Sequence, residues 1–106
     1  MYQLRYTPLA RKDLETIWDD VYNVSKDINV ADKYVSEFIN KIADKKEFPT
    51  SGIPLTYKGL FTGFYSVNYK IYKAFYRINC NYIEVIRIIL SKKDYMIILF
   101  GDSNNS

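Results

Sequence analysis

The 106-residue sequence is 48% hydrophobic, 25% charged and 17% aromatic, with a formal net charge of +3, which predicts one globular domain spanning residues 1–106 and excludes a disordered chain. No apolar run approaches the ~20 residues of a membrane span, so we expect no membrane partner. The sequence starts without an apolar signal segment, and the single cysteine, Cys80, has no disulfide partner in the chain. Both observations predict a cytoplasmic protein. With no histidine, one cysteine and four glycines, the chain excludes histidine catalysis, the usual zinc sites and glycine-rich nucleotide loops, and we expect neither metal nor cofactor.

The N-terminal half predicts a strand and two helices. Residues 2–6 alternate as a strand does, and Thr7-Pro8 then provides a helix cap followed by proline at the first helical position. Apolar residues recur at helical spacing over about residues 8–24 and again over about residues 30–47, where Phe48-Pro49 ends the second helix. The short polar connection between them predicts an antiparallel helical hairpin.

The C-terminal half predicts a sheet. Residues 49–63 contain the remaining prolines and three of the four glycines, which indicates a loop. Aromatic and β-branched residues then alternate in three segments, which predicts strands over residues 64–67, 72–78 and 82–90, with a turn at residues 79–81. With the N-terminal strand, these elements predict an α+β domain in which the helical hairpin packs on a small, mainly antiparallel, four-stranded twisted sheet. Residues 102–106 are expected to be a frayed tail.

Positive charge is concentrated in the predicted sheet. Residues 57–95 contain seven Lys or Arg residues and only two acidic ones, which favours an anionic partner. If Ile78 pairs with Tyr82, one face carries Tyr72, Ala74, Tyr76, Ile78, Tyr82, Ile86 and Ile88 and packs on the helices. The other face is then basic and aromatic and holds Lys73, Phe75, Arg77, Ile83, Val85 and Arg87. A β-bulge between residues 72 and 90 would break this register. The alternative to an anionic partner is that the cations form a solvated surface without a binding role.

The order and spacing of several short segments resemble the RelE/ParE superfamily of bacterial toxins, the toxic halves of type II toxin–antitoxin pairs. The matching segments are Tyr6-Thr7-Pro8-Leu9-Ala10 with Asp13-Leu14 and Ile17-Trp18, Phe48-Pro49-x-x-Gly52, the strand from Tyr72 to Ile78, and Ile86–Leu90 followed by Ser91-Lys92-Lys93-Asp94-Tyr95. The resemblance covers about residues 2–100. It implies a cognate antitoxin as partner, with an acidic tail that covers the basic face.

The resemblance also implies three alternative activities. RelE-like members cut mRNA in the ribosomal A site, ParE-like members inhibit DNA gyrase without cutting nucleic acid, and an inactive member would only bind its antitoxin. We expect a ribosome-dependent mRNA endoribonuclease. By position, the resemblance assigns catalysis to Lys73, Lys93 and Tyr95, and RNA binding to Lys73, Phe75, Arg77, Arg87, Lys92 and Lys93.

Three departures from the RNA-cutting pattern favour the gyrase alternative. The Tyr-Arg pair common after the loop is replaced by Phe64-Tyr65, so no arginine stands there. The glutamate that some members use as a base before the Pro-Leu turn is replaced by Ile53. The C-terminal histidine of those members is also missing.

Overall fold

The computed structural model describes residues 2–101, which form an α+β domain of two layers and a short third helix. The predicted tail at residues 102–106 lies outside the described residues. The sheet has the order β1-β5-β4-β3-β2, in which β1 is parallel to β5 and the other neighbours are antiparallel. The elements are β1 (Gln3–Tyr6), α1 (Pro8–Ser25), α2 (Ile28–Ala43), β2 (Ile53–Tyr57), β3 (Leu60–Tyr69), β4 (Tyr72–Asn79), β5 (Tyr82–Leu90) and α3 (Tyr95–Phe100).

The helical hairpin forms as predicted, with α2 displaced towards the N terminus. The Thr7 side chain accepts a hydrogen bond from the Ala10 amide and caps α1, and Asp27 caps α2 by accepting from the Asn29 amide. The α-helical part of α2 ends at Ala43, and a 3₁₀ turn continues to Lys46. The hairpin covers one sheet face and buries a core that includes Ala10, Ile17, Phe38, Ile42, Val67, Ala74, Tyr76, Ile83 and Val85.

The sheet has five strands and not the predicted four. β2 lies inside the segment predicted to be a loop, and β3 begins at Leu60 and extends to Tyr69. Lys58 and Gly59 both adopt positive φ angles, of 53° and 80°, and form the tight turn that joins β2 to β3. The turn residues therefore mark the tip of a hairpin, and Pro54 is tolerated because β2 is an edge strand.

The predicted pairing of β4 with β5 is wrong by one residue near the turn and by two residues beyond a bulge. Ile78 pairs with Ile83 and not with Tyr82, and a bulge lies between the pairs Tyr76↔Val85 and Phe75↔Arg87, with Ile86 as the extra residue. As a result Ile83 and Val85, predicted for the exposed face, are buried against the helices. Arg77 lies opposite Glu84, and Lys73 lies opposite Ile89 and not Arg87.

The second sheet face is covered by α3. Its residues pack on a cluster of Leu55, Phe75 and Ile89, to which Phe64, Tyr95, Met96, Ile98 and Leu99 contribute. The apolar run Met96–Phe100 is thus helical and largely folded back onto the sheet. Within residues 2–101, no helix combines the length and hydrophobicity that crossing a membrane requires.

Candidate functional site

The structure brings Lys73, Phe75 and Tyr95 together on the face covered by α3. The Tyr95 ring lies 5.2 Å from the Phe75 ring, centroid to centroid, and the Lys73 ammonium lies 5.5 Å from the Tyr95 centroid. Phe75 is only 1% exposed because Tyr95 and the rest of α3 cover it. The burial of Phe75 argues against its predicted role in RNA binding, whereas Lys73 and Tyr95 are partly exposed.

Arg87 is held by a carboxylate of α1. Its Nε donates to Asp13 Oδ2 at 2.8 Å and its second guanidinium nitrogen donates to Asp13 Oδ1 at 3.1 Å, so the pair is bidentate. These hydrogen bonds raise the pKa of the Arg87 guanidinium above its ordinary value. The Arg87 charge is therefore balanced within the chain, which weakens the predicted role of this residue in RNA binding.

The β5 bulge explains why Asp13 and Thr7 stand where they do. β1 ends at Tyr6, so the outer edge of β5 has no strand partner beyond Val85. The Thr7 hydroxyl donates to the Ile86 carbonyl at 2.8 Å, and Asp13 Oδ2 accepts from the Ile88 amide at 2.9 Å. The first half of α1 thus satisfies the backbone of the bulge and fixes the position of Arg87.

The other predicted RNA-binding cations differ in how strongly they are engaged. The Arg77 guanidinium forms an ion pair of 3.0 Å with Glu84, its neighbour across the β4–β5 ladder. Lys92 and Lys93 lie exposed in the turn between β5 and α3. Of the predicted cations, Lys73, Lys92 and Lys93 are therefore free of carboxylate partners within residues 2–101.

Lys93 borders an open cleft of about 290 Å³ between α1, the end of β5 and α3. Asp13, Asp20 and Arg87 also line the cleft, so two carboxylates face two cations. Such a balanced site lacks the excess positive charge that binds a phosphate backbone strongly. Across residues 2–101, no group of three or more His, Cys, Asp and Glu side chains could hold a metal ion.

The arrangement supports anion contacts more readily than bond cleavage. Lys73 and Lys93 are point charges without the bidentate fork of arginine, and Tyr95 offers one hydroxyl. The sequence has no histidine, and within residues 2–101 no carboxylate forms an ion pair with Lys73. Cleavage at a 2′-hydroxyl needs a base within hydrogen-bond reach, and in this cluster that role would fall to Lys73 or Tyr95.

Sequence reasoning missed an apolar surface at the free edge of the sheet. Tyr57, Thr62, Met96 and Phe100 enclose a groove of about 150 Å³ between the β2–β3 hairpin and α3. Ile53 of β2 and Leu60 and Phe61 of β3 are also exposed. The available signal was the number of apolar and aromatic residues within 53–61, which Pro54, Lys58 and Gly59 interrupt.

Comparison with known proteins identifies the family. The family described as "ParE toxin of type II toxin-antitoxin system, parDE" matches residues 4–95. No curated protein sequence matches the chain. Among solved structures, the chromosomal ParDE toxin–antitoxin system from P. aeruginosa is similar with a TM-score of 0.70 at 22% identity, covering 85% of this chain and 96% of that one.

Two RelBE complexes have the same fold. The RelBE2 toxin–antitoxin complex from Mycobacterium tuberculosis gives a TM-score of 0.60 at 20% identity, over 87% of this chain and 93% of that chain. The intact RelBE complex from E. coli gives 0.58 at 14% identity, over 88% and 100%. At these identities the structures establish the fold, and the family match over residues 4–95 establishes the family. The chain therefore belongs to the ParE toxin family of type II toxin–antitoxin systems, within the RelE/ParE superfamily.

Proposed function

We propose that this ParE-family toxin inhibits DNA gyrase and does not cut nucleic acid. The observation that carries the proposal is the pairing of the arginines of β4 and β5 with carboxylates of the same chain. Arg87 is paired with Asp13 and Arg77 with Glu84, so each arginine would have to leave an ion pair before it could stabilise a pentacovalent phosphate. This departs from our expectation of an mRNA endoribonuclease, which relied on an exposed basic and aromatic face.

The absence of histidine from the sequence supports the same conclusion. A nuclease of this superfamily has to deprotonate the 2′-hydroxyl, stabilise the phosphorane and protonate the leaving oxygen. Here Phe75 is buried, the sequence contains no histidine, and the side chain that we assign as proton donor beside Lys73 is Tyr95. Inhibition of a large enzyme by binding requires none of these groups.

A supercoiling assay tests the proposal. Purified toxin is titrated into DNA gyrase with relaxed plasmid and ATP, and the supercoiled product is quantified on a gel. We expect inhibition that is saturable in toxin and accompanied by plasmid breaks that depend on gyrase and are absent when toxin is incubated with plasmid alone. The matched control is the same toxin mixed beforehand with its antitoxin. Full supercoiling at a large excess of folded toxin would contradict the proposal.

The second candidate is the ribosome-dependent mRNA endoribonuclease. The proximity of Lys73 to Tyr95, with Lys93 at the neighbouring cleft, favours it because these three residues were assigned to catalysis from the sequence. The test maps mRNA 5′ ends after brief induction, with and without a block of translation. New ends at fixed codon positions that disappear under the block would establish this activity and displace gyrase inhibition as the main function.

The partner that we propose in either case is a cognate antitoxin. The P. aeruginosa structure is of a ParDE toxin–antitoxin system, and the M. tuberculosis and E. coli structures are of RelBE toxin–antitoxin complexes. The excess of Lys and Arg in residues 57–95 favours an acidic binding segment in that partner. Coexpression with the acidic product of a neighbouring gene is expected to restore growth, and continued arrest at equal expression would exclude that product as the antitoxin.

A further inference from the structure

The cleft between α1, the end of β5 and α3 is large enough for a small molecule. Its volume is about 290 Å³, and its lining combines apolar side chains, among them Ile17, Leu90 and Ile98, with charges of both signs. Small-molecule sites in proteins are concave and mostly apolar, and a few polar groups in them fix the orientation of the ligand. The cleft therefore has the general form of a small-molecule site.

Two of the four charges in the cleft are already paired with each other. Asp13 and Arg87 form the bidentate ion pair described above. Asp20 on α1 and Lys93 in the turn before α3 also line the cleft, and both are exposed. Neither of these two side chains forms an ion pair, with the other or with any further residue of the range 2–101. One negative and one positive charge are therefore available to a ligand.

Neutral hydrogen-bonding groups accompany these two charges. Burial and then the Asp20 carboxylate raise the pKa of Tyr72, which also lines the cleft, so its hydroxyl stays protonated near that carboxylate. The Ile88 amide points away from β4, and backbone groups alternate along a strand, so the Leu90 amide points to the same free edge of β5. The Leu90 carbonyl accepts from the Lys93 amide at 3.0 Å. The cleft thus offers a hydroxyl near Asp20 and an amide donor near Lys93.

The charge balance decides which class of ligand fits the cleft. A phosphate or another simple anion would be attracted by Lys93 and repelled by Asp20, and a polyamine or another simple cation would meet the reverse. A zwitterion satisfies both charges, with its ammonium at Asp20 and its carboxylate at Lys93. An aliphatic group on the same molecule would pack against the isoleucine side chains of the wall. Charge complementarity and the apolar wall together favour a small apolar zwitterion.

We propose that this cleft binds a small zwitterion with an aliphatic side chain, an α-amino acid or a short peptide, with its ammonium against Asp20 and its carboxylate against Lys93. Ile17 and Ile98 contact the aliphatic part, and the Leu90 amide donates to the carboxylate. The inference goes beyond the proposed function, because it adds a ligand site that is independent of whether the toxin acts on gyrase or on mRNA.

The test titrates four probes into the isotope-labelled full chain and follows the backbone amides by nuclear magnetic resonance. Leucine and leucyl-leucine are zwitterions of two lengths, N-acetylleucine lacks the ammonium, and leucinamide lacks the carboxylate. We expect saturable shifts of the Leu90 and Lys93 amides with a zwitterion, and a dissociation constant of the order of 0.1–1 mM for a ligand of this size. The tighter of the two zwitterions identifies the ligand as a free amino acid or a short peptide. The capped analogues should bind at least about threefold more weakly, because each loses one exposed charge pair.

Matched variants assign the two charges of the ligand. Asp20→Asn and Lys93→Gln should each weaken binding of the zwitterion at least about threefold. The controls are the chain neighbours Asp19→Asn and Lys92→Gln, which are also exposed, do not line the cleft, and should leave the dissociation constant unchanged. Asp20→Asn should not weaken binding of N-acetylleucine, because that analogue has no ammonium to contact the carboxylate. By the same reasoning, Lys93→Gln should not weaken binding of leucinamide.

Three results would overturn the inference. The first is the absence of saturable binding by either zwitterion at millimolar concentration. The second is equal binding of the zwitterions and both capped analogues, which would leave only an apolar contact. The third is unchanged binding by Asp20→Asn and Lys93→Gln, once thermal melts have established that both variants are folded. The titrations contain neither gyrase nor ribosomes, so their failure leaves the supercoiling and mRNA assays unaffected, and failure of those assays leaves the titrations unaffected.

Discussion

Replacing Asp13 with alanine tests whether one carboxylate joins α1 to the bulged edge of β5. Asp13 accepts two hydrogen bonds from the Arg87 guanidinium and one from the Ile88 amide. The side chains of Asp13 and Arg87 are 14% and 24% exposed, so the pair is largely shielded from water. The substitution leaves both the guanidinium and the Ile88 amide without this partner.

The magnitude follows from that geometry. Breaking a buried ion pair by removing one partner costs about 3–5 kcal/mol. Water still reaches part of Arg87, so we expect the free energy of unfolding to fall by about 2–3 kcal/mol. Urea unfolding followed by Trp18 fluorescence measures this loss. The double variant Asp13→Ala/Arg87→Ala should lose less than the sum of the single variants, because the second change removes the stranded charge.

A matched control separates the ion pair from the effect of substitution in a helix. Asp19 lies on the same helix, is exposed, and forms no hydrogen bond or ion pair through its side chain within residues 2–101. Asp19→Ala should change stability by less than about 0.5 kcal/mol. Two results would refute this explanation. One is a loss of less than about 0.5 kcal/mol in Asp13→Ala. The other is a double variant whose loss of stability equals the sum of the losses in the two single variants.

Two further expectations concern the core. Burial raises the pKa values of Tyr6 and Tyr76 to about 12 from 10.0, so the unfolded chain ionises first and stability should fall as pH rises from 10 to 12. The buried Tyr6 hydroxyl has no hydrogen-bond partner within residues 2–101. Tyr6→Phe should therefore raise the free energy of unfolding by about 1 kcal/mol and reduce the loss of stability between pH 10 and 12. A lower free energy of unfolding for Tyr6→Phe in urea titrations would contradict this expectation. A Cβ at Gly52 would collide with the Tyr76 hydroxyl, which donates to the Pro49 carbonyl. Gly52→Ala should therefore lower the free energy of unfolding by about 2 kcal/mol in urea titrations. A midpoint equal to that of the exposed control Ser51→Ala would contradict this expectation.

Much of the fold could be predicted from local patterns in the sequence. Thr7-Pro8 and the apolar spacing that follows fix α1, and the alternating residues of β4 and β5 identify those strands. β2 was missed because prolines and glycines around it are typical of loops, although here Gly59 forms a hairpin tip and Pro54 lies in an edge strand. Local composition does not distinguish these two uses.

The register and the site depended on contacts that local patterns do not contain. The segment from Asn79 to Asn81 is compatible with two pairings, and the burial of Ile83 and Val85 against the helices selects the tighter one. Asp13 precedes Arg87 by 74 residues, so no spacing rule connects them. The sequence placed Lys73 and Tyr95 in one site, and the structure brings them together, but it buries Phe75 beneath α3.

The most direct test of the central claim compares wild type with Tyr95→Phe in the gyrase supercoiling assay and in mRNA 5′-end mapping. The substitution removes one hydroxyl and keeps the ring that packs on Phe75. A nuclease that uses this hydroxyl as its acid would lose about 10² or more in cleavage. We expect both proteins to inhibit gyrase with the same dose dependence and neither to produce cleaved mRNA. The gyrase proposal would be contradicted if the wild type produced codon-specific mRNA ends, Tyr95→Phe produced none, and neither protein inhibited gyrase.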